Sequence, residues 1–570
     1  MQIIKGIPAA PGIAIGPGFH HKTTRFEIVR VEITNTRLEI ERLEAAIERS
    51  ERELGVIYEE ARLNVGDDTA EIFQAHMVML KDPDLLEAVK QTIDTEKVNA
   101  EAAFHEASER YADLLHNLSD EYLQARAADV RDVSARVIRN LQNEAGDVPV
   151  LLVPAIVFAD DLAPSDTIRY DRKKLLGFFT VKGGTTSHTA ILARALGIPA
   201  VVGANEMPDF ASGEQTFILD GNNGRLIVDP DEAALSQYIA TKQSQHTKFL
   251  EESAAALAPA VTRDGKRLEV VANIGNLEDA KSALLNGAEG VGLFRTEFSY
   301  LEQSTVPDEE ALVVVYRAIF ETLGELPIVV RTLDIGGDKE VPHLALAGES
   351  NPFLGHRGIR LCLARPDLFR PQLRAILRAG CHSNLHIMFP MIAAVHEIRE
   401  TRKILDECRA ELEMAHIEHH REPKIGIMIE VPSAALCADQ LAKNVDFFSI
   451  GTNDLTQYTL AADRTNAKVS QLVTALQPAV LRLIKQVIDR GHAAGIWVGL
   501  CGEMAAEPTA IPLLVGLGLD EFSMNPASIP RAKAIIRNWD SQQAALLVEQ
   551  ALHCETPDDV RTLVEGWSPA

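Results

Sequence analysis

The sequence predicts an α/β chain of several domains whose C-terminal part is a TIM (β/α)8 barrel, and three observations predict it. At 570 residues the chain is too long for one hydrophobic core and divides into about three or four domains. Its composition, 46% hydrophobic and 24% charged, is that of a folded globular protein. After residue 261, apolar β-rich runs recur eight times, each followed by a helical segment.

Taken in order, "GIPAAPGIAIGPGF" reads as short strands joined by Gly/Pro turns. From residue 34 the texture becomes helical. Thr36 and Glu39 form a capping-box pattern, and Ile40, Leu43, Ile47, Leu54 and Ile57 follow at helical spacing. Helical stretches, broken at "VGDDT", "KDPD" and "NLSD", continue to about residue 143. Strand patterns return in "VPVLLVPAIVFA", "LLGFFTVKGGTTSHTA" and "TFILDGNNGRLIVD". The expected organisation is a discontinuous α/β domain (1–33 and 144–230), a helical insert (34–143), a linker helix and hinge (231–260) and the barrel (261–570).

The eight runs are "LEVVANIG", "GVGLFRTE", "PIVVRTLDI", "LHIMFPM", "KIGIMIE", "DFFSIGTND", "WVGLCGE" and "DEFSM". Continuous hydrophobic runs suit parallel strands buried on both faces. Active sites of such barrels lie at the C-terminal strand ends. Here those ends collect Arg295 and Glu297, Arg331 and Asp334, Glu430, Asn453 and Asp454, and Cys501 and Glu503, with Arg464 shortly after. Guanidinium forks match phosphate and carboxylate, and Glu430 and Asp454 offer hard oxygens suited to Mg²⁺. The set points to a small phosphorylated carboxylic acid bound through magnesium. Cys501 reads either as packing or as a proton donor, since an ordinary thiol stays mostly protonated at neutral pH.

Eighty-two acidic against 56 basic side chains leave a net charge of −26. That balance disfavours nucleic acid and anionic membranes as partners. The six cysteines form no CxxC pair and read as reduced thiols. Pro8 and Pro11 break the N-terminal apolar stretch, and no run has the length of a membrane span, so a cytoplasmic protein is expected. "HIEHH" (416–420) reads as a solvated loop rather than a metal site.

In "GGTTSHTA" (183–190), His188 follows Gly183, Gly184, Thr185, Thr186 and Ser187 and precedes Thr189, ahead of the apolar helix pattern "AILARALGIPAVVG". Small flanks leave the imidazole reachable, and hydroxyls and N–H groups before a helix can hold an anion. Neutral imidazole is a nucleophile at cytosolic pH, so the octet presents a phosphorylatable histidine.

With "GGTTSHTAILARALGIPAVVG" and "DFFSIGTNDLTQYTLAADR", the chain resembles the enzyme I family of the bacterial phosphoenolpyruvate-dependent sugar phosphotransferase system. "GIPAAPGIAIG", "GAEGVGLFRTEF", "VRTLDIGGDKE", "NPFLGHRGIR" and "GLCGEMA" also match in order, and the likeness covers essentially the whole length. The resemblance implies that His188 accepts the phosphoryl group at its distal nitrogen. It implies that Arg295, Arg331, Asn453 and Arg464 bind phosphoenolpyruvate beside Asp454. Glu430 and Asp454 fall on the magnesium ligands, and Cys501 falls on the proton donor that yields pyruvate. It further implies a swivelling phosphohistidine domain, a helical subdomain that docks a histidine-containing phosphocarrier protein, and a homodimer formed by the barrel.

In the insert, Ile72, Phe73, His76, Met77, Met79 and Leu80 span a broad arc with Val78 opposite, as an interface or a fully buried helix would. Asp67, Asp68 and Glu71 suit a partner with a basic face. One rival is a pyruvate phosphate dikinase or phosphoenolpyruvate synthase. It needs a nucleotide-grasp domain, and no Gly-rich phosphate loop followed by Lys precedes residue 150. A second, a non-catalytic sensor of phosphoenolpyruvate, would have a broken catalytic set, which this chain does not.

Overall fold

The structure, a computed structural model, describes all residues except 22–27, 66, 117–120, 143–149, 185–186, 210–214, 302–304, 337–348, 465, 467–468 and 568–570. Side chains at 60, 62–71, 116–125 and 471 also lie outside it. The chain forms two compact units, Met1–His246 and Thr247–Ala570.

The first unit is built on β1 (Gln2–Lys5), β2 (Ile7–Ala10), β3 (Ile13–His20), β4 (Ala155–Ala159), β5 (Leu175–Thr180), β6 (Ala200–Val202), β7 (Thr216–Asp220) and β8 (Arg225–Val228). They pair in the order β1-β8-β7-β3-β4-β5-β6-β2. β3 to β6 run parallel, and β7–β8 is a hairpin. In that hairpin Asp220 accepts the Asn222 and Asn223 N–H groups, a side-chain clamp that tightens the turn.

The helical insert leaves after β3 and returns to β4, which are hydrogen-bonded neighbours. Its helices are Thr36–Val65, Asp67–Leu80, Pro83–Glu96, Ala100–His116 and Glu121–Gln142. Leu43, Ile47, Leu54 and Ile57 are buried on one stripe, and Ile40 packs at its edge. The expected capping box at Thr36 is corrected. Thr36 is already helical, and the Asn35 side chain accepts the Leu38 N–H. Glu39 instead takes the Ala100 N–H and pairs with Arg42. Phe73, His76 and Leu80 are fully buried while Val78 is exposed, so much of the broad arc is core.

The helix expected over "AILARALGIPAVVG" is also corrected. It spans only His188–Leu196, because Gly197 takes a left-handed φ of 67° and caps it; Ala200–Val202 then form β6.

Glu232–Ala254 is a single helix with no buried residue, where the sequence predicts a connecting helix. In the second unit β9 (Ala260–Val261) lies antiparallel on β10 (Arg267–Ile274). β10, β11 (Val291–Arg295), β12 (Pro327–Arg331), β13 (Asn384–Phe389), β14 (Lys424–Ile429), β15 (Phe447–Ile450), β16 (Trp497–Leu500) and β17 (Glu521–Met524) are all parallel, and β17 pairs back with β10. Each of the eight predicted runs supplies one strand of this closed TIM barrel. Lys533, fully buried, donates to the carbonyls of Ala256, Ala258 and Gly287 and pairs with Glu289. Arg537 holds the carbonyls of Ala255 and Pro259. The last residues of the connection are thereby fastened to the barrel.

Candidate active site

The parallel strands of the barrel deliver their C-terminal ends to one mouth. Arg331 closes β12, and its guanidinium is buried between Glu297, at 2.5 Å, and Asp334, at 3.1 Å. The Thr296 hydroxyl donates to the Arg331 carbonyl at 2.8 Å, and Gln372 donates to that hydroxyl at 2.9 Å. The strand end is therefore fixed as firmly as the side chain. Glu430 follows β14, fully buried, and accepts the Met391 N–H at 2.5 Å.

Asn453 and Asp454 sit in the first turn of helix Thr452–Leu460, directly after β15. Asp454 takes Arg357 at 3.0 Å and has Arg464 at 3.8 Å. Asn453 exchanges hydrogen bonds with Glu503, its amide donating to the carboxylate at 3.3 Å. Cys501 follows β16 with its thiol 3.8 Å from the Ile450 carbonyl, and Asn273 holds its backbone carbonyl at 3.0 Å. Burial pushes this thiol up to about 11, against the lowering influence of Ser449, Arg331 and Arg295. The sulfur stays protonated amid arginines that would stabilise an enolate.

His188 belongs to the other unit and opens its own helix. The Ser187 hydroxyl caps that helix by accepting the Ala190 N–H at 3.4 Å. Gly183, at a φ of 99°, sets the preceding turn where a side chain would be strained. The imidazole is 21% exposed, and its Nδ1 lies 3.2 Å from Asp129. Burial lowers its pKa, with His76 and Arg126 adding to that and Asp129 opposing it. The ring is thus neutral and nucleophilic near pH 7. Two parts of the expected anion cradle have other work: Ser187 is the helix cap, and Thr189, buried, donates to the Leu162 carbonyl. Thr185 and Thr186 lie outside the described residues.

Family models match in chain order: the N-terminal domain of PEP-utilising enzymes over residues 5–126, their mobile domain over 153–224, and their PEP-binding domain over 251–541. Phosphoenolpyruvate-protein phosphotransferases of Priestia megaterium and Bacillus subtilis (strain 168) are each 45% identical over 570 residues. They align with 99% of this chain and with 98% and 99% of their own. That of Listeria innocua serovar 6a is 44% identical over 566 residues, 99% of each chain. The chain belongs to the phosphoenolpyruvate-protein phosphotransferase family.

Within this member of the phosphoenolpyruvate-protein phosphotransferases, Arg295, Arg331, Glu430, Asn453, Asp454, Arg464 and Cys501 all lie at the barrel mouth. His188 is in the N-terminal unit. Sequence reasoning left Arg357 without a role, although "NPFLGHRGIR" contains it. Its guanidinium is buried and joins Asp334 (3.2 Å), Asp454 (3.0 Å) and the Tyr458 hydroxyl (3.2 Å). An arginine set between glycines after the third strand was the available signal. Asp334, Glu430 and Asp454 crowd three carboxylates into one corner. Burial and those two neighbours raise Glu430 above the usual carboxylate range despite Arg357 and Arg331. A divalent cation relieves that repulsion, so Glu430 and Asp454 fit the magnesium expected of them.

At the opposite end of the barrel, ahead of β13 and β14, Cys381 meets His382 and Glu418 of the "HIEHH" loop. Linear spacing did not reveal Glu418 as a neighbour of that thiol. His382 and Glu418 are a solvated pair at 3.3 Å, each about three-quarters exposed or more (80% and 74%).

Proposed function

We propose that His188 takes the phosphoryl group of phosphoenolpyruvate at the barrel mouth, with release of pyruvate, and then passes it to a histidine of a phosphocarrier protein docked on the helical insert. The observation that carries the reading is the convergence of Arg331, Arg295, Arg357, Glu430, Asp454 and a protonated Cys501 on one end of the barrel. Arginines orient the phosphate and carboxylate and offset charge as it develops. Nε2 of His188 attacks phosphorus while the bond from phosphorus to the enol oxygen breaks, its electron pair staying on the enolate. Cys501 then delivers its proton to the methylene carbon. Glu430 and Asp454 would hold magnesium, which would supply charge neutralisation at the phosphate and enolate oxygens.

His188 has to meet both the barrel mouth and a carrier on the helical insert, so the reading requires the N-terminal unit to move between the two, with the exposed helix Glu232–Ala254 as the connection. Among the described residues no helix is long and apolar enough to cross a membrane. The homodimer implied by the family resemblance is part of the same proposal, and a sedimentation profile of monomer alone at micromolar concentration would remove it.

The deciding experiment is incubation with ³²P-labelled phosphoenolpyruvate and magnesium. An acid-labile adduct is expected on the wild type, absent from His188→Ala and transferable to a phosphocarrier protein. Stable labelling of His188→Ala would defeat the assignment.

A further inference from the structure

Behind His188 lies a buried polar cluster that the reaction above does not use. The oxygen of Asp129 that meets His188 Nδ1 also lies 3.3 Å from His76 Nε2. His76 Nδ1 faces Asp132 at 3.8 Å, and the Ser165 hydroxyl donates to the other Asp132 oxygen at 2.9 Å. Arg126 reaches the second Asp129 oxygen at 3.3 Å. His76 and Asp129 are both 0% exposed. Both His76 nitrogens, the shared Asp129 oxygen and one Asp132 oxygen are sealed from solvent and make no aligned hydrogen bond, so their contacts are electrostatic. Burying so many polar groups is costly relative to an apolar packing of the same volume.

A carboxylate only accepts, so a negative charge 3.2 Å from Nδ1 favours the proton on that nitrogen over the distal one. With hydrogen on Nδ1, the lone pair is left on Nε2. We propose that Asp129 is the positioning residue of His188, holding the Nδ1–H tautomer, and that His76, backed by Asp132, keeps the Asp129 carboxylate in place. This rests on His188 being the phosphoryl acceptor. When the bond from Nε2 to phosphorus forms, the Nδ1 proton remains, the ring becomes a cation, and Asp129 is its counter-charge. When the group leaves for a carrier, that bond breaks and its electron pair returns to Nε2, so no proton need move in either direction. The charged and titratable groups facing the ring are His76 from helix Asp67–Leu80, Arg126, Asp129 and Asp132 from helix Glu121–Gln142, and Asp161 with Lys182 beside it.

The test uses the full chain as wild type, Asp129→Asn, Asp129→Glu, His76→Gln and His188→Ala. ¹⁵N imidazole spectra and single-turnover labelling by ³²P-phosphoenolpyruvate with magnesium are the readouts. In the wild type His188 is expected as the Nδ1–H tautomer. Asp129→Asn should shift it toward Nε2–H and slow labelling at least roughly tenfold, while the phosphoenolpyruvate concentration for half-maximal rate stays put. His76→Gln should move both readouts less and in the same direction, and Asp129→Glu should recover part of the loss. Wild-type His188 found as the Nε2–H tautomer overturns the proposal whether or not any variant folds. So does Asp129→Asn labelling at the wild-type rate. Label retained by His188→Ala would instead defeat the acceptor assignment, a separate failure.

Discussion

The thiol of Cys501 sits at the end of β16, enclosed by Ser449, Arg331, Arg295 and Glu430, with its pKa raised to about 11 chiefly by burial. On the proposed function, replacing it with alanine removes the proton donor and little of the binding surface. Cys501→Ala is therefore expected to lose roughly 10²–10⁴ in turnover, while phosphoenolpyruvate binding, followed calorimetrically, persists. Turnover near wild type would dismiss the role. His386 makes a pH prediction inside the same barrel. Its ring packs edge-on to Phe447 and Trp497, and burial lowers it to about 4. An unfolded chain restores a value of about 6.5. The neutral ring thus favours folding fully above about pH 6.5, and that contribution, at most about 3 kcal/mol, is lost as pH falls toward 4. Denaturant titrations at pH 7 and 4.5 should show a smaller pH loss for His386→Gln than for the wild type. At this scale the residue types at strand ends were legible in the chain. Partnerships between distant positions, such as Arg357 with Asp454 or His76 with Asp129, were not, because nothing local encodes them.

Among the elements, the barrel strands were readable because burial on both faces makes each an uninterrupted apolar run, with turn residues between. Boundaries set by a single backbone conformation were harder. "ARALGIPAVV" carries a helical pattern straight across Gly197, yet one left-handed residue ends the helix and frees the chain to become β6. The start of the long helix moved by one position because Asn35, not Thr36, supplies the cap. The segment from Ala255 to Pro259 offers an element-level test. Lys533→Met strands three carbonyls and Glu289 in a buried site. A loss of about 3–5 kcal/mol is expected, read as a lower melting temperature of the barrel transition in calorimetry. An unchanged transition would mean that the fastening is not needed.

For the whole molecule, the split into two compact units within an exposed helix predicts where the chain is vulnerable. Limited trypsin digestion should cut first at Lys242 or Lys248, both in Glu232–Ala254, and yield two protected fragments. Early cuts inside the barrel would contradict that picture. The fold class was the most legible feature of all, since eight strand–helix repeats suffice to draw the closed parallel barrel. The exit and re-entry of the helical insert at adjacent strands, β3 and β4, has a consequence for descent. An excursion that closes on neighbouring strands can be exchanged between relatives without disturbing the sheet it leaves. Under the proposed function, recipient specificity is then free to drift on one module while donor chemistry stays unaltered on another, subject to one restriction. Any transplanted module must bring its own acid and imidazole to stand behind the borrowed nucleophile.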